Sequence, residues 1–158
     1  MSISKIKKDL EGQKKFPPVD QWNPDLCEGQ EFFIDREGDW FYNNSPIKNK
    51  KLINLFSTVI RKDNNNYFLV TPVEKVPVKV ELAPYKVIDF EISKNNIKLF
   101  TNMNYDFVLN ALNTTRLIAY NNSEIPLVHV RNNIEGFFDR NIYYLSLIHI
   151  SEPTRLEP

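Results

Sequence analysis

Apolar and polar residues alternate in short runs, give way to one helix-like stretch, and then return to alternation. Residues 31–35 (EFFID) and 40–42 (WFY) flank REGD, and Gly38 between them predicts a β-hairpin. Ser45-Pro46 then predicts a helix start, with serine as N-cap and proline at the first helical position, where its missing N–H costs nothing. Leu52, Leu55, Phe56 and Val59 recur on one helical face, widened by Ile53 and Ile60, while Lys48, Lys50 and Lys51 face away. Arg61 and Lys62 fall in the expected last turn, where cations complement the helix dipole. Asn64 to Asn66 are expected to end the helix, because asparagine tolerates left-handed geometry.

Beyond this point the pattern predicts strands at 67–71, 78–82, 85–92 and 97–101, with a tight turn at Asn95-Asn96. Weaker strands are expected at 107–109, 117–120 and 127–130, and Asn133 is read as the cap of a final helix over 134–144. At the N-terminus, residues 3–11 predict a short helix. FPPVDQWNP (16–24) predicts an extended strap with a turn at Asn23-Pro24 and Trp22 as its anchor. There is also an internal echo. WFY-NNSP-I before an apolar helix resembles LVHV-RNN-I before another, a strand, polar break and isoleucine-led helix in both halves, though such a step is common and does not by itself establish duplication.

The 158 residues are 42% hydrophobic, 13% aromatic and 25% charged, enough apolar material for a core without disulfides. Formal net charge is zero and the basic residues do not cluster, so the electrostatic footprint of a nucleic-acid binder is missing. Cys27 is the single cysteine; no secretory leader or run of about 20 apolar residues is present, and a cytoplasmic protein with no membrane partner is expected. Asn, Lys and Ile are used heavily through residue 144, as AT-rich coding DNA produces, which discounts asparagine pairs as turn signals. Residues 145–155, LSLIHISEPTR, match codon for codon the translation of a transposase sequencing adapter. Residues 145–158 are therefore read as a non-native tail, with the second half of the fold cut short, and His149 drops out of any site.

The chemistry-bearing residues are few. Zinc needs about four nitrogen or sulfur ligands, and outside the tail the chain offers His129 and Cys27. A Cys27–His129 nucleophile pair has no third, orienting residue, and packing is the better reading of Cys27. Asp63, Asn65 and Glu74 match three positions of a calcium loop, but Phe68 stands where glycine is required. Neither common glycine-rich phosphate loop occurs. Anion-binding candidates are Lys75, His129, Arg131 and the N–H groups above Ser45. Thr71-Pro72-Val73-Glu74-Lys75 is the most unusual short string: Pro72 ends a strand, and Glu74 and Lys75 project from its exit as a ligand-contacting lip or a weakly ion-paired turn.

KFPPVDQWNPDLC, GDWFYNNSPI, LINLFSTVIRKD, YFLVTPVEK and HVRNNIEGFFDR, in that order, resemble the bacterial DUF1285 family, a domain of unknown function, over residues 16–144. The resemblance implies an α+β fold: a duplicated core of two related halves, β-rich with one main helix each, the second half superficially like a pleckstrin-homology fold. It implies a cleft between the halves for a nucleotide-like ligand, and a role in signalling or stress response. The expected organisation is an N-terminal helix and strap (1–30), a first half (31–82), a truncated second half (83–144) and the tail (145–158). The expected function is non-catalytic sensing of a small anionic or nucleotide-like molecule, without a cofactor or metal. Trp22 and Trp40 would stack on the ligand, Glu74, Lys75 and Arg131 would supply charge, and Thr71 and His129 hydrogen bonds. The alternative is a protein-interaction or structural adaptor.

Overall fold

The structure, a computed structural model, describes residues 16–94, 96–109, 115–139 and 142. The predicted helix over 3–11 and the tail at 145–158 lie outside the described residues. The chain divides into two compact units, Met1–Pro84 and Tyr85–Pro158.

The first unit runs β1 (Phe32–Ile34), β2 (Trp40–Tyr42), β3 (Ser45–Pro46), α1 (Lys50–Ser57), β4 (Ile60–Asp63), β5 (Asn66–Val70) and β6 (Lys75–Val80). Its six strands form one sheet in the order β3-β2-β1-β6-β5-β4. The second unit runs β7 (Tyr85–Ser93), β8 (Asn96–Thr101), β9 (Asp106–Leu109), β10 (Thr115–Tyr120), β11 (Ser123–Arg131) and β12 (Ile134–Phe138), in the order β10-β11-β12-β7-β8-β9. The two orders are the same arrangement. In each unit two antiparallel three-stranded meanders are joined where the first strand pairs in parallel with the last, β1 with β6 and β7 with β12. The fold is thus a duplicated, β-rich α+β architecture.

The duplication does not follow the sequence echo. WFY is β2, the second strand of its unit, whereas LVHV lies in β11, the fifth strand of the other. Both are strands followed by an asparagine pair, and that shared turn chemistry produced the likeness. The corresponding segment of the first unit is β5, YFLV.

Asparagine places four of the hairpins. Asn43 and Asn44 between β2 and β3, and Asn121 and Asn122 between β10 and β11, all have positive φ. This is the two-residue turn whose twist matches paired strands, and asparagine is among the few residues that adopt it cheaply. Asn64 (φ 58°) turns β4 into β5, and Asn132 (φ 49°) turns β11 into β12. The asparagine pairs are turn signals in spite of the coding bias.

These turns correct the predicted helix boundaries. Ser45 and Pro46 pair with Tyr42 and Phe41 as β3, so serine caps nothing. The helix instead starts after Asn49, whose side chain accepts from the N–H of Leu52 at 3.2 Å. It ends at Ser57, where the Ser57 and Thr58 hydroxyls donate back to the carbonyls of Asn54 and Leu55 at 2.7 and 2.6 Å. The β-branched run Thr58-Val59-Ile60 then favours strand, placing Arg61 and Lys62 on β4 rather than in a helical last turn. Residues 134–138 are strand β12 rather than the start of a helix. Paired on both sides, β12 is buried nearly throughout, and a short fully buried strand has no period to separate it from a helix.

In the first unit α1 lies on the sheet face formed by Phe32, Ile34, Trp40 and Leu69, all fully buried or nearly so. The Phe56 ring sits 5.3 Å from Phe32 and 6.4 Å from Trp40, closing an aromatic cluster. In the second unit Tyr85, Val87, Leu99 and Val128 are fully buried. Gly136 lies opposite Tyr85 in the parallel pair, and a Cβ there would meet Tyr85 Cβ and Val130 Cγ2 at 3.1 Å. Gly136→Ala is therefore expected to destabilise the protein by about 1–3 kcal/mol, read as a lower urea midpoint. Asn122→Gly should leave the midpoint level or raise it, whereas Asn122→Ala should lower it by about 1 kcal/mol, since alanine resists the left-handed geometry.

Candidate functional site

The N-terminal strap is held by polar contacts that its own composition does not announce. A 3₁₀ turn over Val19–Gln21 buries Val19, and the strap then runs extended toward Asp25. Arg61 on β4 reaches back to it: Nη1 donates to the carbonyls of Val19 and Trp22 at 2.8 and 2.7 Å. The same guanidinium makes a bidentate pair with Asp63, Nε and Nη2 each at 2.9 Å from a carboxylate oxygen. Four charge-assisted bonds on a side chain only 11% exposed fix its plane. The strap continues onto β6, where Lys75 N–H donates to the Asp25 carbonyl and Cys27 N–H to the Lys75 carbonyl. Trp22 is half-buried, so the strap is anchored by Val19 and by two carbonyls on Arg61 rather than by Trp22 alone.

Asp63 links this anchor to Lys75, whose Nζ lies 3.9 Å from Asp63 Oδ2 and 4.7 Å above the Phe68 ring. Thr71 and Glu74 shape the turn that delivers Lys75. The buried Thr71 hydroxyl accepts from the N–H groups of Glu74 and Val73 at 3.0 and 3.3 Å, and Thr71 N–H donates to the Glu74 carbonyl. Thr71 is thereby a turn former, its hydroxyl directed to its own loop. The first unit thus brings Thr71, Glu74 and Lys75 together and ties Trp22 to them through Arg61 and Asp63. Trp40 is excluded from any stacking role: it is 1% exposed, packed between Phe32 and Phe56. With Ser45 in β3, there is also no helix N-terminus above Ser45 to receive an anion.

His129 and Arg131 belong to the second unit, at the end of β11. A β-bulge between them shifts the register against β12, so that both Val130 and Arg131 face Ile134. The bulge turns Arg131 onto Tyr85: Nε donates to the tyrosine hydroxyl at 3.1 Å, and the guanidinium carbon lies 5.8 Å from the ring centroid. His129 Nε2 meets the carbonyl of Asn132 in the following turn. Tyr105 packs 6.3 Å from Tyr85. Its hydroxyl pKa is raised above the ordinary tyrosine value, first by burial, then by Tyr85; Arg131 opposes the shift and Asp106 adds to it.

Sequence reading gave Arg61 and Asp63 other roles, a helix end and a failed calcium loop, and gave Tyr85 none beyond a strand. Arg61 and Asp63 alternate on a strand, a period-two signal hidden by the apolar residues that carried the helical reading past Ser57. Tyr85 had no polar signature apart from its hydroxyl. Arg61→Ala is expected to free the strap at the cost of about 2–3 kcal/mol. Chymotrypsin should then cut after Trp22 faster, before global unfolding. Arg61→Lys should recover little, because an ammonium cannot reproduce the planar fork.

Among the described residues no helix is long and apolar enough to cross a membrane. A family model described as the DUF1285 N-terminal domain, a domain of unknown function, matches residues 17–83. No curated protein matches the chain. Two solved structures do. A DUF1285 family protein from Silicibacter pomeroyi DSS-3 is 29% identical with a TM-score of 0.79, over 89% of this chain and 81% of that one. One from Shewanella baltica OS155 is 26% identical with a TM-score of 0.62, over 77% of this chain and 93% of that one.

Proposed function

For a chain that belongs to the DUF1285 family, a domain of unknown function, we propose a non-catalytic sensing module that binds a small anionic or nucleotide-like molecule and serves signalling or stress response. One observation carries this reading. Each unit seats a cation on an aromatic ring near its last hairpin, Lys75 over Phe68 where β5 turns into β6 and Arg131 over Tyr85 where β11 turns into β12. Cations held on aromatic faces, with donors aimed by neighbouring groups, suit phosphate and planar bases together. His129 stands two residues before Arg131 on the same strand, and Trp22 offers a half-buried indole in the first unit. The described residues hold no cluster of three metal-ligating side chains, and the reading requires no cofactor.

Nucleoside mono-, di- and triphosphates, tested by thermal unfolding, decide the matter. A ligand at about 100 times its Kd adds about 2.7 kcal/mol, a shift on the order of 5–10 °C for a chain of this size. Loss of the shift in Arg131→Gln assigns the anion to the second unit, and loss in Lys75→Gln to the first. No shift with any nucleotide, or a shift that persists in the double variant, sinks the reading.

A further inference from the structure

The first unit's sheet has a second face, opposite α1, and it is only partly covered. Residues paired across the strands share a face, so Phe41, Phe33 and Lys79 form one row on this side, and Pro77, Phe68 and Arg61 the next. At the β4 end the strap lies over it, held by Arg61. Beside β1 two open grooves remain, of about 480 Å³ along β6 and β5 and about 520 Å³ against residues 26–30 and the β2–β3 turn, with Glu31, Phe33 and Pro77 as their common wall. The Phe33 and Phe41 rings lie 5.8 Å apart, tilted by 33°, and Leu26 at one rim is 49% exposed.

The rim is acidic. Glu28, Glu31 and Glu81 line the two grooves against a single cation, Lys79, which lies 3.9 Å from Glu31. An aromatic floor within a net negative rim repels nucleic acid. It also disfavours a second copy meeting it about a two-fold axis, since each rim would face its own charge. The chemistry it complements is apolar and cationic. The strap shows what form such an occupant takes: this face already holds one extended, proline-containing segment, by its backbone carbonyls.

We propose that the uncovered part of this face docks an extended segment of a partner protein in which apolar residues alternate with lysine or arginine. The apolar side chains enter the grooves on either side of the Phe33–Pro77 wall, and the cations meet Glu28, Glu31 and Glu81. One groove shares the Phe68 ring with the Lys75 site, but Glu28, Glu31 and Glu81 take no part in either cation-on-aromatic contact, so the proposal stands whether or not a nucleotide binds there.

The test uses the full chain and a fluorescein-labelled peptide of alternating lysine and valine, with a central proline to block self-association, read by fluorescence anisotropy. The control peptide carries glutamate in place of lysine. The lysine peptide should bind, more weakly as salt rises, and the glutamate peptide should not. Glu28→Lys with Glu31→Lys, both at exposed positions, should weaken binding about tenfold or more with the thermal midpoint unchanged. Phe33→Ser should weaken it as well. Absence of lysine-peptide binding, equal binding of the two peptides, or indifference to the charge reversals overturns the proposal. So does a concentration-dependent dimer in sedimentation that Phe33→Ser abolishes, which would give the face to a second copy.

Discussion

Each unit depends on one parallel strand pair that joins its first strand to its last. In the first unit Phe32, Phe33 and Ile34 lie beside Val78, Lys79 and Val80; in the second Tyr85, Lys86 and Val87 lie beside Gly136, Phe137 and Phe138. The remaining pairings within each sheet are antiparallel neighbours in sequence, made by local turns. The central pair closes a loop of several tens of residues, and the entropy of that closure must be offset by side-chain burial. The buried residues answer that need. Phe32 and Ile34 are sealed by Trp40 and Phe56 on the α1 side, at about 1.5–3 kcal/mol for each large side chain taken from water. In the second unit Tyr85 takes the central place, and Gly136 beside it is the residue that leaves its ring and backbone room.

Chirality governs the rest of the path. Six asparagines with positive φ sit at the hairpin turns of both units, where a residue with a bulkier or branched side chain would clash. Heavy use of asparagine along the chain and a fold that needs left-handed turns call for the same residue. Composition and structure therefore agree at these positions without either explaining the other. The glycine at the β1–β2 hairpin, Gly38 with φ 86°, answers the same constraint, with the Asp35 carboxylate accepting the N–H groups of Glu37 and Asp39 across the loop.

The two units share strand order and little side-chain chemistry. Apolar character is kept at the sealed positions, Phe32 with Tyr85 and Ile34 with Val87, because those places face a core in both. Elsewhere the residues diverge, and with them the polar networks. The first unit spends an arginine and an aspartate on holding its strap; the second uses a bulge to aim an arginine at a tyrosine. Each unit does place a cation over an aromatic ring near its last hairpin, though from non-equivalent strands: Lys75 of β6 over Phe68, and Arg131 of β11 over Tyr85. That placement is the feature that joins a duplicated fold to a reading of ligand binding.

The chain by itself determined most of the strands outside β3, β4 and β12, the first hairpin, the presence of one amphipathic helix and the family likeness, since all of these rest on local periodicity and short motifs. These elements carry their signal within a few residues, as at Gly38 and in the alternation of 85–92. Tertiary structure decided what local pattern leaves degenerate. Whether Ser45-Pro46 begins a helix or forms a strand depends on its pairing with Phe41 and Tyr42, and whether 134–138 is helix or strand depends on neighbours on both sides. The site followed the same division. Lys75 and Arg131 were legible as charges, but the rings beneath them were not, and Trp40 looked available until the packing of Phe32 and Phe56 enclosed it. Sequence spacing records which groups lie near along the chain; pairing across strands, with burial as its driving force, chooses which meet in space.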